Sequence, residues 1–452
     1  MWGGERTVTK LVARLLVAVV AALSLAGCSI ADLYAGRATV YNAESEQAHD
    51  QGVLLNIVRA ALRRPRQYTL VQQITGQATA SSSVNFNFPF GPHVDSTPNT
   101  GMVNGAASGG PNFQVATLET NEFFEGLVQP IPSQLVDLYF HSEYPHDLLL
   151  NLFIEKIVMR RTDPGCPLRN HEPRCEITLQ NYPGTDLQVE LFQAVVGYLI
   201  DLGLSTEQIP AAPKKVSGST GGAGAAAPSP DYFFCFTPRM HRTAYLVPSD
   251  VVCGTPESVR RVSSRLGRIS DVGGIIIPEK LASLLSEIVA RHAHDWNAMA
   301  FPGIEHFSGQ RVSFKIYTRS TESAIYYIGE VVRRQLYPDL NMPPRHVQIK
   351  VGPRFNPFPL KPCSIDPYPP MGWFCADIFV VDVNNLLGTD PIFSVHYAGV
   401  QYSIPAGPGA GSDYRSRAGA SYTVLSILRQ LVIIHTKAGT LPATAVLSIP
   451  VR

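Results

Sequence analysis

The sequence predicts an α+β protein in which amphipathic helices pack on mixed sheets and disulfides close several loops. In the C-terminal half, segments with strand and helix periodicity follow one another. The cysteines other than the one near the N-terminus fall in local pairs within Pro- and Gly-rich stretches. Because no repeat of about 20–50 residues is found, a solenoid or a propeller is disfavoured.

The composition is that of a folded chain without a strong charge. Of the 452 residues, 45% are hydrophobic, which is enough for a sizeable core and excludes wholesale disorder. The chain has 37 basic and 36 acidic side chains, for a net charge of +1, so no nucleic-acid partner is expected. Gly and Pro, with 36 residues each, predict many loops.

The N-terminus has the pattern of a secretory signal. Basic residues precede an apolar run over 15–25, which is too short to span a bilayer. The letters LAGC follow and end at Cys28. This passage resembles the lipobox of bacterial lipoproteins, and the resemblance implies that Cys28 is fatty-acylated and that residues 1–27 are removed as a signal peptide.

Acylation at Cys28 makes the membrane the first expected partner of the chain. Two or more acyl chains give effectively permanent attachment. Residue 29 is Ser rather than Asp, which by resemblance to lipoprotein sorting in Gram-negative bacteria favours the outer membrane, with the body facing the periplasm. Exposure at the cell surface is the alternative.

The composition also divides the rest of the chain. Residues 28–41 are a lipidated tether that reaches about 40 Å at full extension. Residues 42–204 are expected to form an N-terminal domain of helices and strands, and residues 232–452 a C-terminal α+β domain. Residues 205–231, rich in Gly, Ala and Pro, predict a flexible linker or loop between them.

The N-terminal domain is predicted to begin with a helix and a hairpin. Apolar residues recur at helical spacing over 43–63, and Pro65 ends the helix. Residues 67–90 read as extended chain because apolar and polar side chains alternate. A strand over 113–118 closes a hairpin around the Gly-rich loop at 91–112.

Helices are predicted for most of the remaining N-terminal domain. Residues 122–160 form short helices separated by prolines, and apolar residues up to Val158 continue the last of them. The first cysteine loop covers residues 164–185. An amphipathic helix then runs from Asp186 to Leu202, with Gly203 suited to the position after its end.

The C-terminal domain is predicted to alternate helices and strands. Pro278 opens a helix to about Arg291. Apolar side chains alternate in the strand over 311–317, and Ser320 then caps a helix that Pro338 stops.

The end of the chain is predicted to contain a strand over 377–383 and a hairpin over 393–404 with a tight turn near Ala398. A helix over 420–437 and a terminal strand over 444–451 complete the domain.

Six cysteines besides Cys28 are expected to be oxidised, because the periplasm favours disulfides. Six cysteines allow fifteen pairings. Proximity along the chain favours Cys166–Cys175, Cys235–Cys253 and Cys363–Cys375. A zinc site or a redox catalyst is the alternative, but the spacing typical of either is absent.

His292, His294, Glu305 and His306 form the densest group of potential metal ligands in the sequence. Residues two apart on a helix point away from each other, so His292 and His294 share an ion only if the helix has ended. A solvated helix terminus, where imidazoles complement the dipole, explains the histidines without a metal. No metal or cofactor is therefore expected.

A Gly-rich segment over 407–413 precedes Arg415 and Arg417. Such segments can present amides to phosphate, but Pro408 removes one amide, and no Lys-Ser or Lys-Thr follows. The segment is therefore expected to be a flexible loop. Arg415 and Arg417 stay candidates for binding an anion or an acidic partner.

A basic cluster lies at the end of the first predicted helix, where positive charge complements the helix dipole. Contact with anionic lipid headgroups is the alternative, since the tether is short. The cluster consists of Arg59, Arg63, Arg64 and Arg66.

Several passages resemble a group of uncharacterised bacterial envelope lipoproteins. They are residues 50–60 with the following Pro65 and strand, residues 127–132, and the C-terminal hairpin, helix and LSIP ending. The resemblance implies no activity, and neither G-x-S-x-G nor H-E-x-x-H occurs in the chain. We therefore expect a non-enzymatic lipoprotein that binds an envelope protein or supports an assembly at the outer membrane. The alternatives are an envelope hydrolase acting on glycan, peptide or lipid, and an accessory of a transport or secretion machine.

Overall fold

The structure is a computed structural model of the chain, and its described residues form two compact units. The first is drawn from Met1–Gly52, Tyr68–Leu118 and Leu441–Arg452, and the second from Val53–Gln67 and Glu119–Thr440. The described residues are 39–40, 42–83, 104–117, 120–142, 144–163, 165–166, 175–209, 231–237, 246–247, 251–254, 271–294, 298, 301, 303–337, 347–351, 374–386, 391–405 and 420–435.

A long antiparallel hairpin forms much of the first unit. Strand β1 (Thr69–Ser83) pairs with β2 (Asn104–Thr117) along nearly its whole length. The predicted hairpin is thus confirmed, but β2 begins earlier than expected, inside the Gly-rich loop. Backbone amides and carbonyls form the ladder whatever the side chains, so a Gly- and Ser-rich sequence can pair as a strand.

Helix α1 covers residues 42–61, close to the prediction. Three short helices follow in the second unit. They are α2 (Asn121–Val128), α3 (Ser133–Phe140) and α4 (His146–Phe153). Thr120 caps α2 by accepting a hydrogen bond from the N–H of Phe123, and a proline precedes each of the other two helices.

Strand β3 (Ile154–Arg161) follows α4 directly, so the prediction of a helix to residue 160 is wrong. Ile157 and Met159 are buried and the residues around them are less so, which is the alternation of a strand. Ladders on both sides of β3 satisfy its backbone groups. Apolar spacing alone does not reveal those neighbours, and β-branched residues fit the pleated surface of a sheet better than a helix.

Four strands form the central sheet of the second unit in the order β4–β3–β8–β7. Ile157 lies opposite Leu179 on one side and Ile316 on the other, and all three are buried. Chain segments before and after residues 205–231 therefore contribute to one sheet. The other three strands are β4 (Glu176–Gln180), β7 (Asp271–Ile276) and β8 (Arg311–Thr318).

A second hairpin contains the predicted linker. Strand β5 (Leu204–Ile209) pairs with β6 (Asp231–Phe236), so the two ends of the 205–231 segment are strand. Residues 210–230 lie outside the described residues. The sequence predicts mixed sheets, whereas every ladder between the described strands is antiparallel.

Two long helices contact each other beside this sheet. Helix α5 (Asp186–Asp201) packs against α6 (Glu279–Arg291). The hydroxyl of Tyr198 on α5 donates to the carbonyl of Ile276 at 2.8 Å and so attaches the helix to β7. Gly203 follows α5 with a φ of 88°, which confirms its predicted place after the helix end.

Helix α7 (Thr321–Leu336) begins as predicted, because the hydroxyl of Ser320 accepts a hydrogen bond from the N–H of Ser323 at 3.0 Å. It crosses the end of α1 at Gly329. An ideal Cβ on Gly329 would lie 2.5 Å from the Cβ of Ala60 and 3.0 Å from the backbone nitrogen of Ala61. The close crossing therefore requires a residue without a side chain.

Arg319 is buried between β8 and α7 and joins three segments. Its Nε donates to the carbonyl of Ile154 at 3.1 Å, and its Nη2 donates to the carbonyl of Asn181. The guanidinium lies 3.9 Å from the ring centre of Tyr327. Burial lowers the pKa of Arg319 to about 10, so the group stays charged at neutral pH. Carbonyl dipoles and an aromatic face stabilise this buried charge.

The C-terminal part contains a second small sheet, ordered β11–β13–β12, and a last helix. The predicted hairpin is confirmed, with positive φ angles at Ala398 and Gly399 in its tight turn. The elements are β9 (Gln348–Val351), β10 (Phe374–Asp377), β11 (Asp382–Val383), β12 (Pro391–Tyr397), β13 (Val400–Pro405) and α8 (Ser421–His435).

The strand predicted over 377–383 is interrupted. Side chains satisfy the backbone between β10 and β11: Ser421 accepts from the N–H of Val380 at 2.8 Å, and the Gln335 amide donates to Phe379 at 2.6 Å. A buried apolar run can therefore be irregular where side chains replace a neighbouring strand. The terminal strand predicted over 444–451 lies outside the described residues, and the α+β class itself is confirmed.

Candidate functional site

Two of the candidate metal ligands, which the sequence explains without a metal, lie near each other at the end of α6. His292 follows the helix as its C-cap residue, and its ring centre is 6.1 Å from that of His294. The Nε2 of His292 lies 3.4 Å from a carboxylate oxygen of Glu190, which projects from α5. The sequence prediction missed Glu190, although an acidic residue within an apolar helix is a signal of a buried partner.

Glu190 is a buried carboxylate that lies between Arg291 and His292. Arg291 Nη1 lies 3.0 Å from its other oxygen, and Arg291 also pairs with Glu287 at 3.1 Å. Burial raises the pKa of Glu190, while His292 and Arg291 oppose that rise. The arrangement holds α5 and the end of α6 together through charge.

Glu305 and His306 lie on a short 3-10 helix, Ile304–Phe307. Their side chains are 64% and 48% exposed, and Glu305 Oε1 lies 3.8 Å from His306 Nε2. Within the described parts of the chain, one group of three residues brings possible metal-ligand atoms within 4.8 Å of one another. It consists of Glu207, Cys235 and Cys253. The weaker candidates from the sequence do not converge on a common point among the described residues; they are His292, His294, Glu305 and His306.

The structure confirms two of the predicted disulfides. Cys166 bonds to Cys175, and Cys235 bonds to Cys253, with Cα separations of 5.4 and 5.1 Å. Cys375 is also disulfide-bonded. The remaining predicted site residues, Cys28, Cys363, Arg415 and Arg417, lie outside the described residues.

Three arginines of the basic cluster contact other parts of the second unit. Arg63 pairs with Glu330 at 2.9 Å, and Arg66 pairs with Glu322. Arg59 lies 5.6 Å from the ring centre of a tyrosine in β12. These contacts attach the end of α1 to α7 and the C-terminal hairpin, a role that the sequence prediction did not include.

Helices α2 and α8 contact each other, and each exposes apolar side chains. On α2, Phe124 and Val128 are one turn apart and are 42% and 59% exposed. Ile433 and Ile434 on α8 are exposed beside His435, whose Nδ1 would lie 2.8 Å from a Cβ on Gly126. We call Phe124 and Val128, which lie one turn apart on the exposed face of α2, the apolar surface.

No helix in the described part of the chain is long and apolar enough to cross a membrane. Comparisons with known protein families, with curated proteins and with solved structures found no match. The resemblance to envelope lipoproteins therefore stays a prediction that rests on the sequence.

Proposed function

We propose that this chain is a fatty-acylated protein of the bacterial cell envelope that binds a protein partner there. The signal-like N-terminus that ends at Cys28 supports attachment. The observation that carries the proposal is that each described cysteine is disulfide-bonded, including Cys375. Disulfides persist in the periplasm and outside the cell and are rare in the cytosol.

The proposed acyl attachment determines the location of the folded part of the chain. Acyl chains on Cys28 hold the chain at a bilayer, and the short segment 28–41 keeps the folded body within about 40 Å of it. Ser29 supports the outer membrane as that bilayer, with the body in the periplasm. Partners are then other proteins of the envelope.

The apolar surface is better suited to bind a protein than a lipid membrane. Large apolar side chains grouped at one place on a soluble body are typical of interaction sites. Glu122 and Glu125, exposed on the same helix as Phe124 and Val128, would repel anionic lipid headgroups. A protein that offers an apolar patch with basic residues at its rim complements both features.

Acylation is tested by metabolic labelling with a fatty-acid analogue in cells that produce variants of the chain. Cys28→Ser should abolish labelling and leave the signal uncleaved, because the acceptor thiol is gone. Ser29→Ala, the matched control, should label like the wild type. Equal labelling of Cys28→Ser and wild type would refute the attachment.

Partner binding is tested by purification from detergent-solubilised envelopes followed by mass spectrometry. Val128→Asp should lose a stoichiometric partner that the wild type retains, because a charge enters the apolar surface. Leu386→Asp is the matched control, since Leu386 is 82% exposed in a turn elsewhere. Retention of the partner by Val128→Asp, or a wild-type chain that purifies alone, would contradict the proposal.

A further inference from the structure

The Cys235–Cys253 disulfide lies beside a carboxylate, and together they carry the donor atoms of a metal site. One oxygen of Glu207 and the two sulfurs all lie within 4.8 Å of one another. We propose that reduction of this disulfide creates a site for a zinc-like divalent cation, bound by the two thiolates and Glu207. Thiolate sulfur and carboxylate oxygen are both ligands that Zn²⁺ accepts.

The spacing suits tetrahedral coordination once the disulfide opens. Zinc–sulfur bonds of about 2.3 Å place two sulfurs about 3.8 Å apart in a tetrahedral site. The Cα atoms of Cys235 and Cys253 are 5.1 Å apart, so rotation of the two side chains can reach that separation while the backbone stays in place.

Backbone pairing fixes the three residues relative to one another. Ser205 lies opposite Cys235 in the β5–β6 ladder, and Glu207, two residues further along β5, points to the same face. The N–H of Cys253 donates to the carbonyl of Phe236 at 2.9 Å. These bonds do not depend on the disulfide, so the ligands stay close after reduction.

The carboxylate is also held in place. The N–H of Gly254 donates to Glu207 Oε2 at 2.7 Å, which leaves the other oxygen for a cation. Cys235 is buried, whereas Cys253 and Glu207 are half-buried. Solvent therefore reaches one side of the group, where a reductant can attack and where water can complete the coordination.

The chemistry balances with a dithiol as the reductant. The dithiol transfers two electrons and two protons to the bond between Cys235 and Cys253 and becomes a disulfide itself. A divalent cation then binds, and the two cysteine thiols release their protons to solvent. Two thiolates and one carboxylate give the complex a net charge of −1.

The other described disulfide provides a comparison within the same chain. Cys166 and Cys175 belong to no group of three converging ligands among the described residues. Their reduction should yield two thiols without the third donor. Loss of a thiol there should not affect the proposed site.

The test is an anaerobic titration with Co²⁺ of the whole protein, reduced with a dithiol that is then removed. Thiolate-to-cobalt charge-transfer absorption reports the sulfur ligands. We expect one such site per chain in reduced wild type and in Cys166→Ser, and none in Cys253→Ser or in oxidised protein. Glu207→Gln should bind at least about tenfold more weakly, because a ligand is lost while an acceptor for Gly254 is kept.

Three results would overturn the proposal. Oxidised and reduced wild type could bind equally, which would exclude thiolate ligands. Cys253→Ser or Glu207→Gln could bind as tightly as wild type, which would place the metal elsewhere. The folded circular dichroism signal could disappear on reduction, which would show that the fold that holds the three ligands together does not survive in the reduced chain.

Discussion

Substitution of Gly329 by alanine should destabilise the crossing of α1 and α7. The new Cβ would lie 2.5 Å from the Cβ of Ala60, whereas carbon atoms prefer about 3.5–4.0 Å, so the helices must separate by about 1 Å. Overpacking of this kind costs about 1–3 kcal/mol. The higher helix propensity of alanine compared with glycine offsets about 1 kcal/mol of this cost. We expect the free energy of unfolding to fall by up to about 2 kcal/mol.

Gly197→Ala is the matched control, because a Cβ at this position in α5 meets nothing within 4 Å. In this variant only the higher helix propensity of alanine changes stability, so the free energy of unfolding should rise by about 0.5–1 kcal/mol. Urea denaturation with intact disulfides measures the free energy of unfolding of both variants. The comparison holds if the dependence of that free energy on urea concentration is the same as in wild type. Ala60→Gly should recover part of the loss in the Gly329→Ala background, since one of the clashing methyl groups is removed.

The two glycine variants are expected to change stability in opposite directions. If Gly329→Ala gained stability as Gly197→Ala is expected to do, or if Gly197→Ala were destabilised as much as Gly329→Ala, the argument from close approach would be refuted. A double variant that shows simple additivity of Gly329→Ala and Ala60→Gly would also show that the two methyl positions do not interact.

Two further predictions concern buried polar groups. Arg319→Ala should lower the free energy of unfolding by about 3 kcal/mol, because two buried carbonyls lose a charged donor, and urea denaturation that shows no loss would contradict this role. Burial lowers the pKa of His435 in the folded protein below its unfolded value of about 6.5. Its contribution to stability is therefore present above that value and lost as the pH falls through the folded pKa. Thermal unfolding of wild type and His435→Gln is measured between about pH 5 and 8. The unfolding temperature should fall less toward acid pH in the variant than in wild type, and an equal fall in both would contradict the prediction.

Local signals in the sequence predicted much of the fold. Ser320 caps its helix, Gly203 follows α5, and Ala398 turns the hairpin, because each depends only on a few neighbouring residues. The disulfides of Cys166 and Cys235 were predicted for a related reason, since their partners lie nearby along the chain.

Features that depend on distant residues were not predictable in this way. The apolar spacing of Ile154 and Val158 fits a helix, and only the strands beside them select the extended form. The contact of Glu190 with His292 and the position of Glu207 beside a disulfide likewise arise from packing. The sequence identified His292 but not the carboxylate that it contacts.

The order of strands in the central sheet has a consequence for biogenesis. Strand β3 pairs with β8, and 153 residues separate Arg160 from Ser313 across that ladder. Contacts so distant along the chain slow folding, because a long loop must close before they form. During synthesis from the N-terminus, β3 emerges well before β8. During that interval the edge of β3 that later pairs with β8 is open, and an open strand edge favours aggregation.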